Sequence, residues 1–125
     1  MKFHHIGIGC SSIEECIEYL KPVLDIKDIS DTVYDPLQDA RLCMLTLEDG
    51  VRIELIQGTP VEKIVRKGTY LYHSCYETKD LEESMKFFEE RGSIIVSPPK
   101  EAVLFGGRRV AFLSSKLGLI ELLEE

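Results

Sequence analysis

Apolar and polar residues follow the same order in two stretches of the chain. Residues 3–20, FHHIGIGCSSIEECIEYL, alternate apolar and polar positions and then space the apolar ones every three to four residues. This pattern predicts a strand followed by an amphipathic helix, and residues 71–88, LYHSCYETKDLEESMKFF, predict the same elements. Equivalent residues, 68 positions apart, are His5 and His73, Ile13 and Leu81, Glu14 and Glu82, and Glu15 and Glu83. The pattern therefore indicates an internal repeat.

Both predicted helices carry start and stop signals. Ser11 and Ser12 each precede a glutamate by three residues, the spacing of a capping box, and Asp80 does the same in the second copy. Pro22 ends the first helix because proline cannot continue a helix, and Gly92 ends the second. Helices of similar length therefore follow both opening strands.

The remaining segments predict short strands and turns. An Asp-Gly turn separates two of the strands, as in a hairpin. Residues 25–35 are expected to be irregular or a weak edge strand, and a Pro-Pro pair is expected to end the strand at 94–96. The further strands are predicted at residues 40–47, 51–57, 94–96, 108–113 and 119–123.

Each half of the chain is thus predicted to be a βαβββ module. One module covers residues 1–58, the other residues 70–125, and residues 59–69 join them. Two such modules predict a single α+β domain with a curved, eight-stranded mixed sheet, a half-barrel with the helices outside.

Each module also contributes one histidine on its first strand and one glutamate on its last strand. His5 and Glu54 belong to the first module, and His73 and Glu121 to the second. A single strand histidine is more often a hydrogen-bonded core residue, and a single glutamate between Ile and Leu can face solvent. Glutamate is rarely buried unless it is paired or coordinated, however, and here two Ile-Glu-Leu segments recur in register with two histidines. The repeat favours a metal site.

Two imidazoles and two carboxylates are a ligand set for a divalent ion. Their mixed nitrogen and oxygen atoms suit Zn, Ni, Co, Mn or Fe better than Ca or Mg. A six-coordinate ion held by four protein groups keeps two positions for neighbouring substrate oxygens. Such an ion stabilises the enolate or enediolate that forms when a proton leaves next to a carbonyl.

The bulk composition excludes some partners. The chain of 125 residues has a net charge of −7, which argues against nucleic acids and anionic membranes as partners. Four cysteines without a CxxC pair, and no secretory signal, indicate reduced thiols in the cytoplasm. A cysteine metal site or a disulfide is the less favoured interpretation.

Nearly the whole chain resembles the vicinal oxygen chelate superfamily of glyoxalases, bleomycin resistance proteins and dioxygenases. The similarity rests on HHIGIG, RIELIQ, YHSCYETKDLEE and LIELLE. It implies metal ligands at His5, Glu54, His73 and Glu121, and small-molecule substrates. Homodimers are common in the superfamily, so a homodimer is expected.

Within the superfamily, two activities are implied. The segment GGRRVAFL resembles the GGKKVAFL-type strand of methylmalonyl-CoA epimerases, which implies an epimerase or isomerase acting on an acyl-CoA or similar carbonyl compound. Those epimerases usually carry Gln where this chain has Glu54, and the His-Glu-His-Glu set resembles bacterial glyoxalase I, a lactoylglutathione lyase. Metal-free binding or resistance proteins are a further alternative, and an extradiol dioxygenase is disfavoured by Glu54.

Five residues are candidates for catalysis or substrate binding. The resemblance implies Glu121 as the base, and Glu77 is a second candidate because it shares a strand face with His73. Arg108 and Arg109 are candidates for binding a phosphate or carboxylate, and Gln38 for lining the cavity.

Overall fold

The computed structural model describes all 125 residues. The chain divides by its internal contacts into two units, one formed by His5–Tyr72 and the other by Met1–His4 together with His73–Glu125. Strand β1 (Lys2–Gly9) therefore contributes residues to both units. None of the α-helices is long and apolar enough to cross a membrane.

The first unit contains one copy of the repeat. The elements after β1 are α1 (Ile13–Leu20), β2 (Ile26–Ile29), β3 (Val33–Asp35), β4 (Ala40–Leu47), β5 (Arg52–Gly58), a 3-10 turn (Thr59–Val61) and α2 (Glu62–Arg66). Strands β4 and β5 form an antiparallel hairpin, and β5 pairs in parallel with β1. Strands β2 and β3 both pair antiparallel with β4.

Helix α1 begins and packs as its sequence predicts. The Ser12 hydroxyl accepts a hydrogen bond from the Glu15 backbone N–H at 3.2 Å, so Ser12 and not Ser11 is the cap. The apolar face of α1 packs on one face of the sheet, where Ile13 is fully buried with Cys43 and Leu45. This arrangement leaves the opposite face of the sheet for the histidine and glutamate side chains.

The second unit repeats this arrangement. Its elements are β6 (Leu71–Thr78), α3 (Leu81–Glu89), β7 (Ile94–Glu101), a 3-10 turn (Val103–Phe105), β8 (Arg109–Ser115) and β9 (Gly118–Glu124). Strand β6 pairs in parallel with β9, and β8 pairs antiparallel with both β9 and β7. Asp80 caps α3 by accepting from the Glu83 N–H at 3.0 Å, and the buried side chains of Leu81 and Met85 pack on the sheet.

The predicted α+β class and the paired βαβββ modules with mixed sheet pairing are confirmed. There are nine strands instead of eight, because the weak edge segment forms two short strands, β2 and β3. Just after β2, the Ser30 hydroxyl accepts a hydrogen bond from the Met44 N–H at 2.8 Å. In a continuous strand a backbone carbonyl would accept this hydrogen bond instead.

Strand β7 is longer than predicted. It continues to Glu101 through Pro98 and Pro99, which were expected to end it at Val96. The strand lies at the end of the strand order, and its register shifts between Ser97 and Lys100. An edge strand with a bulge tolerates proline because the missing N–H has no ladder partner to lose.

Candidate metal centre

The first unit brings one histidine and one glutamate together on neighbouring parallel strands. Gly7 of β1 lies opposite Glu54 of β5, and His5 precedes Gly7 by two residues on the same strand face. The His5 Nε2 atom lies 3.1 Å from Glu54 Oε1, and the two residues are 0% and 4% exposed.

The second unit builds an equivalent pair with the same strand offset. Cys75 of β6 lies opposite Glu121 of β9, and His73 precedes Cys75 by two residues. The His73 Nε2 atom lies 3.4 Å from Glu121 Oε1, and the two residues are 4% and 3% exposed. The repeat seen in the sequence is thus a repeat of side-chain geometry.

The chemistry of the two pairs fits a divalent transition metal ion. Each of the four side chains offers one ligand atom, an imidazole nitrogen or a carboxylate oxygen. Burying a carboxylate away from water is costly unless it is hydrogen-bonded or coordinated, and each of these glutamates lies against an imidazole nitrogen. Two neutral imidazoles with two carboxylates balance a charge of +2.

Glu77 and Arg108 form an ion pair in the second unit. One Arg108 Nη atom donates to the Glu77 carboxylate, and Arg108 Nε donates to the Glu124 carbonyl at 2.8 Å. This guanidinium lowers the pKa of Glu77 below its ordinary value. Glu77 lies four residues beyond His73 on β6, about 13 Å along the strand. The buried Cys75 lies between them on the same strand face.

Arg109 is held by two carboxylates. Its guanidinium donates to Glu82 of α3 at 2.8 and 3.1 Å, and to Glu124 of β9 at 2.9 and 2.5 Å. It therefore ties the first turn of α3 to the last strand of its module. Arg109 hydrogen bonds lower the pKa of both glutamates.

Arg41 makes the matching connection in the first unit, and the sequence reasoning missed it. Arg41 donates to Glu14 of α1 and, at 3.0 Å, to Gln57 of β5. The same Gln57 oxygen accepts the Ile13 N–H at 3.0 Å. The signal was available, because a shift of 68 positions places Arg41 on Arg109 as it places Glu14 on Glu82.

Gln38 lies in the turn between β3 and β4. Its side-chain amide donates to Asp35 at 2.8 Å, and the same buried carboxylate accepts the Leu37 N–H at 2.9 Å. Gln38 therefore supports the carboxylate of Asp35, which is 1% exposed.

The four cysteines are free thiols. Three are buried and Cys16 is half-buried, close to the predicted set of four buried small residues. Burial and the neighbouring Cys16 raise the pKa of Cys10 to about 12, so this thiol is unreactive near neutral pH.

Solved structures of known proteins share this fold across the whole chain. A hypothetical protein from Bacillus halodurans C-125 superposes with a TM-score of 0.84 at 26% identity, over 99% of this chain and 94% of the other. A variant of Streptomyces coelicolor methylmalonyl-CoA epimerase in complex with 2-nitronate-propionyl-CoA gives 0.80 at 21% identity, over 100% and 94%. Glyoxalase I from Zea mays gives 0.69 at 22% identity, over 100% of this chain and 43% of the other.

The family model for the Glyoxalase/Bleomycin resistance protein/Dioxygenase superfamily matches residues 4–112. The chain belongs to this superfamily, as its sequence motifs predicted. No significant match exists among curated protein sequences. The structural likenesses confirm the fold and leave the reaction to be argued from the site.

Proposed function

We propose that the protein is a metal-dependent enzyme that catalyses proton transfer next to a carbonyl group. The observation that carries this proposal is the pair of matched, buried His–Glu contacts, one in each module. Two buried carboxylates, each beside an imidazole, disfavour a binding protein without a metal.

His5, Glu54, His73 and Glu121 are the proposed ligands of one divalent ion, Zn, Ni, Co, Mn or Fe. When bound, such an ion would supply a Lewis acid beside two neighbouring substrate oxygens, which would favour loss of a proton next to the carbonyl. Each ligand pair lies on two neighbouring parallel strands, an arrangement that would limit reorganisation when negative charge develops on the substrate.

The proposed reaction is epimerisation or isomerisation of an acyl-CoA or a similar carbonyl compound. Superfamily membership and the whole-chain fold shared with methylmalonyl-CoA epimerase support this choice. Glu121 is the proposed base and would take the proton from the carbon next to the carbonyl. For epimerisation a proton would then have to reach the opposite face of that carbon, and for isomerisation a neighbouring atom of the substrate. Glu77 is the second candidate for the base, and its ion pair with Arg108 disfavours this role.

The predicted substrate contacts are Arg108, Arg109 and Gln38. Each of these side chains has acidic partners within the protein, so a substrate phosphate or carboxylate has to compete with them. Of the two arginines Arg108 is the more suitable, because one carboxylate, Glu77, pairs with it, whereas Glu82 and Glu124 both pair with Arg109.

A lactoylglutathione lyase activity is the second candidate, and Glu54 favours it. This residue gives the chain a complete His-Glu-His-Glu set, as in bacterial glyoxalase I. A metal-free binding or resistance protein is the third candidate, and the same carboxylate disfavours it.

One set of assays distinguishes these functions. The purified protein is analysed for first-row metals, stripped, reloaded with Co, Ni or Zn, and incubated in D2O with methylmalonyl-CoA or with methylglyoxal and glutathione. Deuterium at the α-carbon of the acyl-CoA supports the epimerase, and lactoylglutathione supports the lyase. Absence of bound metal, with none taken up on loading, would overturn the enzyme proposal.

We also propose a cytoplasmic, homodimeric protein without nucleic acid or membrane partners. Four free thiols suit a reducing compartment, and the net charge of −7 disfavours polyanions. Sedimentation equilibrium of the metal-loaded protein tests the dimer.

A further inference from the structure

An aromatic ring packs against one of the two histidines. The Phe112 ring meets the His73 imidazole edge to face, with 5.5 Å between ring centroids and 84° between ring planes. Such T-shaped contacts are favourable and directional, so they restrict rotation of the imidazole about its side-chain bonds. Phe112 is itself 6% exposed.

Phe112 also neighbours the glutamate of the same pair. It lies directly opposite Glu121 in the antiparallel register of β8 and β9. Side chains at opposite positions project from the same face of the sheet with their Cβ atoms about 5 Å apart. One side chain thus flanks both His73 and Glu121.

A buried apolar cluster keeps Phe112 in place. Cys75, Val110 and Leu123 pack with it, and each is at most 1% exposed. A close-packed cluster holds its side chains in single rotamers, so the Phe112 ring is a fixed wall for the imidazole.

The first module has no ring at the equivalent position. Met44 lies opposite Glu54 in the register of β4 and β5, as Phe112 lies opposite Glu121. Methionine has three rotatable side-chain bonds and adapts to its surroundings, so it constrains a neighbouring ring less. Met44 is also only half-buried.

We propose that Phe112 is a positioning residue that holds His73 in the orientation needed for metal binding. The inference rests on the proposed metal centre. The ring need not touch the substrate or the ion, because it acts through the imidazole and through the space it fills beside Glu121. Outer groups that orient metal ligands typically change affinity by about 10- to 100-fold when they are removed.

The test compares Co(II) binding by the wild-type protein and by Phe112→Met, Phe112→Tyr and Met44→Leu. Phe112→Met installs the residue of the first module and removes the ring at similar volume. We expect roughly tenfold weaker Co(II) binding, with altered visible absorption bands that report changed ligand geometry. Phe112→Tyr keeps the ring and is expected to retain both affinity and spectrum, and Met44→Leu is expected to match the wild type.

Thermal unfolding of the metal-free variants separates positioning from folding. If Phe112→Met does not fold, Phe112→Leu replaces it as the variant without a ring. Unchanged affinity and spectrum in a folded variant without the ring would overturn the positioning role while leaving the metal centre intact. A wild-type protein that binds no Co(II) would instead overturn the proposed function, on which this inference depends.

Discussion

In the first module Met44 lies opposite the glutamate of the His–Glu pair, whereas in the second module Phe112 occupies that place. The backbone register, the strand offset and the burial of both pairs are nevertheless the same. The difference shows that the repeat preserves the side chains able to bind a metal ion and lets their neighbours diverge.

The two modules also differ at the end of the first strand. At Gly9 a Cβ atom would lie 2.9 Å from Val61 Cβ and 3.1 Å from Val65 Cγ2, so only glycine lets α2 and the turn before it pack there. The equivalent position in the second module is Glu77, which pairs with Arg108. Only the first module is followed by a joining segment. Because this segment packs against Gly9, position 9 requires glycine, whereas the equivalent position in the second module carries Glu77.

The largest expected effect comes from removing one histidine of either pair. If both pairs bind one ion, His5→Ala and His73→Ala should each weaken metal binding by more than roughly 100-fold. This is the upper end of the effect of removing a group that orients a ligand without binding the metal. Competition with a chromophoric chelator measures the affinities, and elemental analysis gives the stoichiometry. One bound metal per chain with wild-type affinity in either variant would show that the modules do not share a site.

The next effect concerns the helices that cover the two modules. Ile13 and Leu81 occupy equivalent first helical positions, and both are 0% exposed. Replacing either with alanine removes buried carbon atoms and leaves a cavity, which should cost about 3 kcal/mol of the free energy of unfolding.

Urea unfolding of the metal-free protein measures both costs. Similar values would show that the two helices contribute equally to the packing of their modules. A cost below about 1 kcal/mol for either variant would contradict the packing described here, and Tyr19→Ala, at a side chain 74% exposed, is the control.

Loss of a helix cap should cost less. Ser12→Ala and Asp80→Ala each remove an acceptor for a backbone N–H, which typically costs about 1 kcal/mol. The Asp80 variant should lose more at low salt, because a carboxylate also interacts favourably with the positive end of the helix dipole. Asp80→Asn is the matched control, since it keeps the acceptor, and equal salt dependence of all three variants would contradict the charge argument.

The helices, the opening strands and both His–Glu pairs were predictable because local periodicity and a repeat shift of 67 to 68 positions specify them. Contacts between distant side chains were not. The sequence predicted Arg109 as a cation that binds a substrate anion, but in the folded chain Arg109 pairs with Glu82 and Glu124. The predicted end of β7 came too early, because local sequence does not reveal that this strand lies at the edge of the sheet, where proline is tolerated.

The arginine connections should give the smallest effect and a distinctive pH dependence. Arg41→Met and Arg109→Met should each destabilise the protein at pH 7 by less than the loss of a cap, because their carboxylate partners on α1 and α3 are mainly exposed. Arg109→Met should cost more than Arg41→Met. It leaves two carboxylates close together, whereas Arg41 has one carboxylate partner and the amide of Gln57.

The sign of the pH effect follows from the carboxyl groups. The Arg41 hydrogen bond lowers the pKa of Glu14 from 4.5 to about 2, and Arg109 lowers the pKa values of its partners in the same direction. Because each folded-state pKa is depressed, the stabilisation is present above pH 4.5 and disappears as the pH falls towards 2. The difference in melting temperature between wild type and Arg41→Met should therefore shrink across this window, and the difference for Arg109→Met should shrink as the pH falls below 4.5. A difference that stays constant from pH 7 to pH 2 would show that the arginines stabilise their modules through packing of their aliphatic carbons and not through charge.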